Sequence, residues 1–172
     1  MMKRSLWVLA LVVALAFGVG SAGAQELSVG YQGLIGTGSN LLSGISVRGW
    51  SDAFGYEGTF FYGHADVDGP DLEADIWILD AKLMYAAVIR ENSKFYVGAD
   101  FAYGQYDIDD FTDDNLWMAG PMLGAEYSFQ GLPELGFNWE VGYNFINVDI
   151  DDMDAELKLD GINVTAGVHY RF

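Results

Sequence analysis

No cysteine occurs anywhere in the chain, so neither a disulfide framework nor anchoring through a lipidated cysteine is open to it. Basic residues are scarce as well: 8 lysines and arginines stand against 25 aspartates and glutamates, a formal net charge of -17. That balance argues against nucleic acid or an anionic membrane surface as a direct partner. Beyond residue 25 no stretch approaches the roughly 18 uninterrupted apolar residues of a membrane-spanning helix, and no long segment carries a helical period. Yet 51% of the residues are hydrophobic and 22 are glycine, which is not the composition of a disordered acidic chain. Charge and apolar surface must be segregated in space.

The chain opens with the basic stretch "MMKR", an apolar run from Leu6 to Phe17 and the small residues Ala22-Gly23-Ala24. This is the layout of a secretory signal peptide, and the run is too short to span a bilayer, which takes roughly 20 residues. Residues 1–24 are therefore expected to be removed, leaving a single domain over residues 25–172. Loss of Lys3 and Arg4 deepens the net charge to -19.

What the rest of the chain has is alternation. In the closing "GINVTAGVHYRF", every second residue back from Phe172 is apolar or aromatic, the mark of a strand with one apolar face. The pattern recurs eight times, predicting strands over 26–36, 43–50, 54–63, 75–88, 95–104, 116–129, 136–147 and 158–172. Charged residues Arg48, Glu57, Asp80, Lys82, Asp100, Glu126, Glu140 and Arg171 fall opposite the apolar positions. Two dozen large side chains, among them Leu79, Leu83, Phe101 and Trp139, occupy the apolar face, and the opposite face is rich in glycine and short polar groups. An eight-stranded barrel has an interior only just wide enough for its own side chains. A soluble, lipocalin-like barrel would have to turn the bulky set inward, where it does not fit. The bulky face must look outward at lipid, which makes the fold class all-β, a transmembrane eight-stranded antiparallel up-and-down β-barrel.

Aromatic residues at the strand ends agree with this reading. Tyr62, Trp77, Tyr103, Trp117 and Phe145 gather toward one rim, with Tyr85, Phe95, Tyr127, Trp139, Tyr170 and Phe172 among those toward the other. Connections alternate between short ones ("SDA", "IRENSK", "QGLPEL") and longer ones near 37–42, 64–74, 105–115 and 148–157. Short turns are expected to face the periplasm and long loops the outside.

With these features the chain resembles the small OmpA-like and OmpX-like outer-membrane β-barrel proteins, whose last strand ends in aromatic-x-Phe, here Tyr170-Arg171-Phe172. The resemblance implies residence in the outer membrane of a Gram-negative bacterium, outer-membrane lipid as surroundings and a monomeric state. It also implies that Tyr170 and Phe172 form part of the signal read by the barrel assembly machinery. Larger OmpA relatives continue into a peptidoglycan-binding domain, whereas this sequence stops at the barrel, so a cell-wall tether is not implied.

Of the acidic residues, 15 lie in three outer segments, residues 64–75, 105–115 and 148–157. Clustered oxygens suit a hard cation such as calcium, and Asp66, Asp68, Asp71, Asp109, Asp110, Asp151 and Asp152 are the candidate ligands. The spacing does not match an EF-hand loop, which leaves solvated acidic loops as the simpler expectation. An enzyme would need a nucleophile beside one of the two histidines. His64 sits near the outer rim with Ser43 or Ser46 as conceivable partners, while His169 lies in the lumen near the periplasmic end; no third member is evident, and no catalysis or cofactor is expected. Charged inward positions argue against the apolar conduit of OmpW-like barrels. The expected role is structural or surface-interacting, with the lumen closed by the charge network.

Overall fold

The computed structural model describes residues 26–35, 41–67, 72–108, 114–150 and 155–172. The expected signal peptide and the tips of the long connections lie outside them. Strands β1 (Glu26–Ile35), β2 (Leu41–Ser51), β3 (Phe54–Val67), β4 (Leu72–Arg90), β5 (Ser93–Ile108), β6 (Asp114–Phe129), β7 (Leu132–Ile150) and β8 (Ala155–Arg171) pair antiparallel with their sequence neighbours. β1 pairs with β8 to close the barrel. Closure leaves no unpaired edge, the condition for a sheet to cross a membrane.

Most strands run further than the alternation suggested. β3, for example, continues from residue 63 to Val67, and β7 begins at Leu132 rather than 136. The outer extensions are polar and acidic, so they lack an apolar phase to read, but their backbones still pair, as in Val67↔Leu72 and Ile150↔Ala155. At the other end the connections tighten to two residues: Asp52-Ala53, Glu91-Asn92 and Gln130-Gly131. Asp52 takes a left-handed φ of 52°, a conformation Asp tolerates better than most residues. Register shifts at Ala86/Val88 and Ser128/Phe129 absorb the residues in excess of these tight turns.

One proline sits in mid-strand. Pro121 is in register with Ala99 of β5, but toward β7 the pairing stops at Ala119↔Phe145 and resumes only at Met122↔Gly142. Without an N–H, Pro121 cannot complete the ladder on that side.

The bulky face is outward. Leu83 is 73% exposed, and Ile45, Phe60, Phe101, Leu123, Trp139 and Phe145 are all open on the same face. Leu79 is the exception at 7%: its register neighbours on that face are Phe60 and Tyr103, both large. At the long-hairpin rim a diagonal device repeats. Tyr62 donates to Asp75 at 2.8 Å, Tyr103 to Asn115 at 2.6 Å, and Tyr143 to Asp160. In each case the acceptor lies two residues before the tyrosine's register partner, so that rings stand in the apolar belt and hydroxyls mark its polar edge.

The inward face is not made of glycine and short polar groups alone. Trp50, Phe61, Ile78, Met84, Tyr96, Met118 and Met122 also point into the bore and are buried. They fit because each of the largest lies opposite a glycine on the next strand: Trp50↔Gly55, Phe61↔Gly44, Ile78↔Gly104 and Tyr96↔Gly124. A Cβ at Gly55 would stand 2.7 Å from the Trp50 ring, and one at Gly124 2.7 Å from the Tyr96 ring. Large-against-small pairing fills a bore this narrow.

Candidate functional site

The bore is layered. Leu34, Phe61, Ile78, Ala102 and Met118 form an apolar cluster toward the long hairpins, and Trp50, Met84, Ala86, Tyr96 and Met122 form another toward the two-residue turns. The central ions are flanked by the two. Alternation puts these charges inward because each strand must present its apolar residues to lipid, and successive side chains point to opposite faces.

Arg48, wholly buried, is the hub. Its Nε donates to Glu57 Oε2 of the adjacent strand β3 at 2.5 Å. Across the bore Nη1 donates to Glu126 Oε2 of β6 at 3.0 Å, and Nη2 to Glu140 Oε1 of β7 at 2.5 Å. One guanidinium thus joins four strands, a use of its planar fork that an ammonium cannot reproduce. Lys82 reaches Glu140 Oε2 at 2.6 Å, Asp80 Oδ2 at 3.4 Å and Glu57 Oε1 at 3.8 Å. Arg171 pairs with Glu126 and donates to Ser128 Oγ at 3.2 Å and the Pro133 carbonyl at 3.3 Å. Asp100 is held differently: it accepts from Asn144 Nδ2 at 3.1 Å, and no ion pair reaches it among the described residues.

Neutral partners supply the remaining hydrogen bonds. Glu57 accepts from Gln32 at 2.7 Å and Thr59 at 3.0 Å, Glu126 from the Trp50 indole at 3.2 Å, and Glu140 from Thr165 at 2.7 Å and Tyr96 at 2.8 Å. Gln32, Trp50, Tyr96 and Thr165 were not among the residues singled out from sequence. Trp50 and Tyr96 share the inward phase of Arg48 and Asp100, so phase alone carried the signal.

The two histidines separate as their positions suggested, but their neighbours differ. His64, at the exposed rim, has Nδ1 2.9 Å from Asp75 Oδ1. Ser46 does not approach it: Ser46 faces inward and lies 2.8 Å from Nε2 of the buried His169. With the Asn138 amide oriented so that its Nδ2 donates to His169 Nδ1 at 3.1 Å, Nε2 carries the ring proton and donates to Ser46 Oγ. That polarity is the reverse of what a general base needs to activate a serine, and both side chains are sealed from solvent.

Of the calcium candidates, Asp68, Asp71, Asp109, Asp110, Asp151 and Asp152 lie outside the described residues, and only the backbone of Asp66 is placed. The register nevertheless sets acidic residues opposite one another where the hairpins extend: Asp66↔Glu73, Asp75↔Asp107 and Asp149↔Glu156. Among the described residues no group of three or more His, Cys, Asp or Glu side chains is arranged to hold a metal. At the chain end, Phe172 N–H donates to the Leu27 carbonyl at 2.9 Å, and its ring packs edge-on against Tyr170 with centroids 5.5 Å apart.

The fold has relatives of known structure. The N-terminal β-barrel domain of Pseudomonas aeruginosa OprF is 17% identical, covering 87% of this chain and 99% of that one, with a TM-score of 0.54. OprH from P. aeruginosa is 13% identical over 86% of this chain and 99% of its own, TM-score 0.55. Neisserial surface protein A is 15% identical over 86% and 95%, TM-score 0.52. No curated protein matches the sequence. The family model described as "Outer membrane protein beta-barrel domain" matches residues 9–172; with a closed eight-stranded barrel whose apolar face looks outward, the chain belongs to that family of outer-membrane proteins.

Proposed function

We propose that the protein is a structural, surface-presenting barrel of the outer membrane whose bore is sealed to free diffusion, and that it carries no catalytic activity. The observation that supports this is Arg48: a fully buried side chain bridging carboxylates from three other strands occupies the cross-section that a channel would need. Catalysis is disfavoured by the enclosed Ser46–His169 pair and its proton polarity. On this reading the chain acts as a monomer, and Tyr170 and Phe172 address it to the assembly machinery, the role that the resemblance implied.

Planar-bilayer recording tests the seal. Purified wild type should show no conductance on the porin scale, and Lys82→Gln or Arg171→Gln should raise a small cation leak as the freed carboxylates repel one another and draw in water. A porin-scale current in the wild type, unchanged by either substitution, would show an open channel.

The opposed acidic residues of the hairpin extensions support a second reading, in which calcium bridges the outer segments. Like charges directly across a ladder are destabilising, and a divalent ion relieves them. Chelation at low ionic strength should therefore increase protease cleavage within residues 64–74, 105–115 or 148–157 and leave the barrel intact. Identical cleavage in calcium and chelator would return these segments to solvated acidic loops; high salt is to be avoided because screening hides the repulsion.

A further inference from the structure

Seven of the eight strand pairings are made by strands that a connection joins, and the connection fixes their register. The eighth, β1 with β8, has no connection. A slip of one residue there would turn apolar side chains into the bore, but a slip of two restores both faces, because side chains alternate with a period of two. Alternation therefore leaves the closing register open in steps of about 6.7 Å. Each step would change the shear of the barrel, which is linked to its shape and size.

Four buried side chains at this seam distinguish the registers. His169 of β8 stands in register with Gly30 of β1, which is in register with Ser46 of β2. With no side chain on Gly30, the imidazole passes over β1 and its Nε2 reaches Ser46 Oγ at 2.8 Å; a Cβ on Gly30 would stand 2.3 Å from His169 Cδ2. The reciprocal crossing lies two residues further along. Gln32 of β1 faces Gly167 of β8, which faces Asn138 of β7. With the Asn138 amide in the orientation that serves His169, Gln32 Nε2 donates over the glycine to Asn138 Oδ1 at 3.1 Å. A Cβ on Gly167 would come within 2.4 Å of Gln32 Oε1. Asn138 Nδ2 donates to His169 Nδ1 and so joins the two crossings into one chain over four strands. Ser46, His169, Asn138 and Gln32 are each at most 4% exposed.

We propose that this interlock selects the register at which the barrel closes: each side of the seam sends one side chain across the other's glycine, and only the observed register matches both. Shifted by two residues one way, Gln32 meets His169 and the two large side chains collide. Shifted the other way, Gly30 meets Gly167, the seam is left hollow, and His169 is carried from Ser46 toward Arg48. The enclosed Ser46–His169 pair is thereby a positioning device of the seam.

The chain has no cysteine of its own, so pairs of substituted thiols on the lipid face report the register. Tyr31→Cys with Val168→Cys marks the native pairing. Tyr31→Cys with Ala166→Cys or with Tyr170→Cys marks the two slips, since diagonal neighbours in an unslipped ladder sit about 7–8 Å apart, beyond disulfide reach. Each pair is placed in the full chain, folded under reducing conditions into neutral-lipid vesicles, oxidised, and read as a mobility shift on denaturing gels. With the interlock intact only the native pair should close. Gln32→Ala with His169→Ala removes both crossings. Each lost buried hydrogen bond shifts the balance between registers about two- to tenfold, so a slipped product absent from the wild type should appear. Asn144→Ala, an equally buried loss on β7 away from the seam, should give the native product alone. A closed double variant that still gives only the native product overturns the proposal, as does slipped product in wild type or equally in Asn144→Ala. Should the double variant not close, the glycine gap decides: Gly30→Ala should lower the closed fraction on unheated gels, and adding His169→Ala should recover part of it. No recovery, or a further loss, overturns the interlock.

Discussion

Replacing Arg48 with methionine should cost about 3–5 kcal/mol, the range for breaking a buried ion pair by removing one partner, which lowers the folding equilibrium constant by roughly two to four orders of magnitude. The side chain carries no exposed surface and serves Glu57, Glu126 and Glu140 at once. Without it those carboxylates keep Lys82, Arg171 and the neutral donors but lose the one cation common to all three. Arg48→Lys should fall between, since an ammonium is a point charge and cannot fork toward three strands. The comparison is Lys94→Met, which removes the partner of the half-exposed Glu26 at the rim of the two-residue turns; a pair with one member in water should cost less than about 1 kcal/mol. Urea titration in vesicles, followed by tryptophan fluorescence and by gel mobility without heating, measures all three. Adding Glu57→Gln and Glu140→Gln to Arg48→Met should recover part of the loss. An Arg48→Met barrel as stable as Lys94→Met would mean that the carboxylates do not depend on the guanidinium, and the sealed-bore reading would lose its main support.

The same numbers explain why such a network is a device for specificity more than for stability. A buried ion cluster exchanged wholesale for well-packed apolar groups is often neutral in energy. Here, however, the outer face is already apolar, so an apolar bore would leave the two faces of each strand alike and the register free to slip by one residue. Charges confined to one face give every strand a distinct inside. Pairing Arg48 of β2 with Glu126 of β6 and Glu140 of β7 then ties strands that lie across the bore and are not neighbours in the sheet.

How much of this was legible from the chain follows from the same asymmetry. Outward residues such as Leu83, Phe101 and Trp139 announce themselves because lipid selects for size and apolarity at every second position. The eight charges of the bore were equally plain as interruptions of that phase. What went unread is the inward apolar set: Phe61 and Tyr96 look like further members of the bulky class until their phase is compared with Glu57 and Asp100. Their places depend on glycines of other strands, Gly44 and Gly124, and periodicity within one strand does not report its neighbour's register. The upper ends of β3, β4, β7 and β8 were missed for a related reason. Above the tyrosine rim the sequence turns polar and acidic, so backbone pairing continues with no apolar alternation to betray it. Ser46, from sequence one of two conceivable partners for His64, meets His169 instead, because β8 closes against β1 and Gly30 of β1 stands in register with both, a contact that only closure of the barrel creates.

The lipid-facing assignment carries its own quantitative expectation, and Leu83→Arg is the sharpest form of it. On β4 the girdle residues Trp77 and Tyr85 stand eight positions apart, a rise of about 26 Å along the strand and about 20 Å along the membrane normal at the usual tilt of roughly 40°. With the width of the rings added, that approaches the apolar band of about 25 Å expected of an outer-membrane barrel. Leu83, the most exposed large hydrophobic residue on that strand, lies inside the band and nearer its middle than its edge. A guanidinium there should cost about 2–4 kcal/mol, although the same substitution at an exposed leucine of a soluble protein falls within about 0.5 kcal/mol. Moving the change to Leu132, exposed where β7 begins beside a two-residue turn, should reduce the cost to about 0–1 kcal/mol, because the charge then reaches water and headgroups. Unfolding in vesicles measures both, and thickening the bilayer should widen the difference by drawing more of β4 into hydrocarbon. Equal, small costs at the two positions would mean that this face meets water, and the barrel would have to be turned outside in.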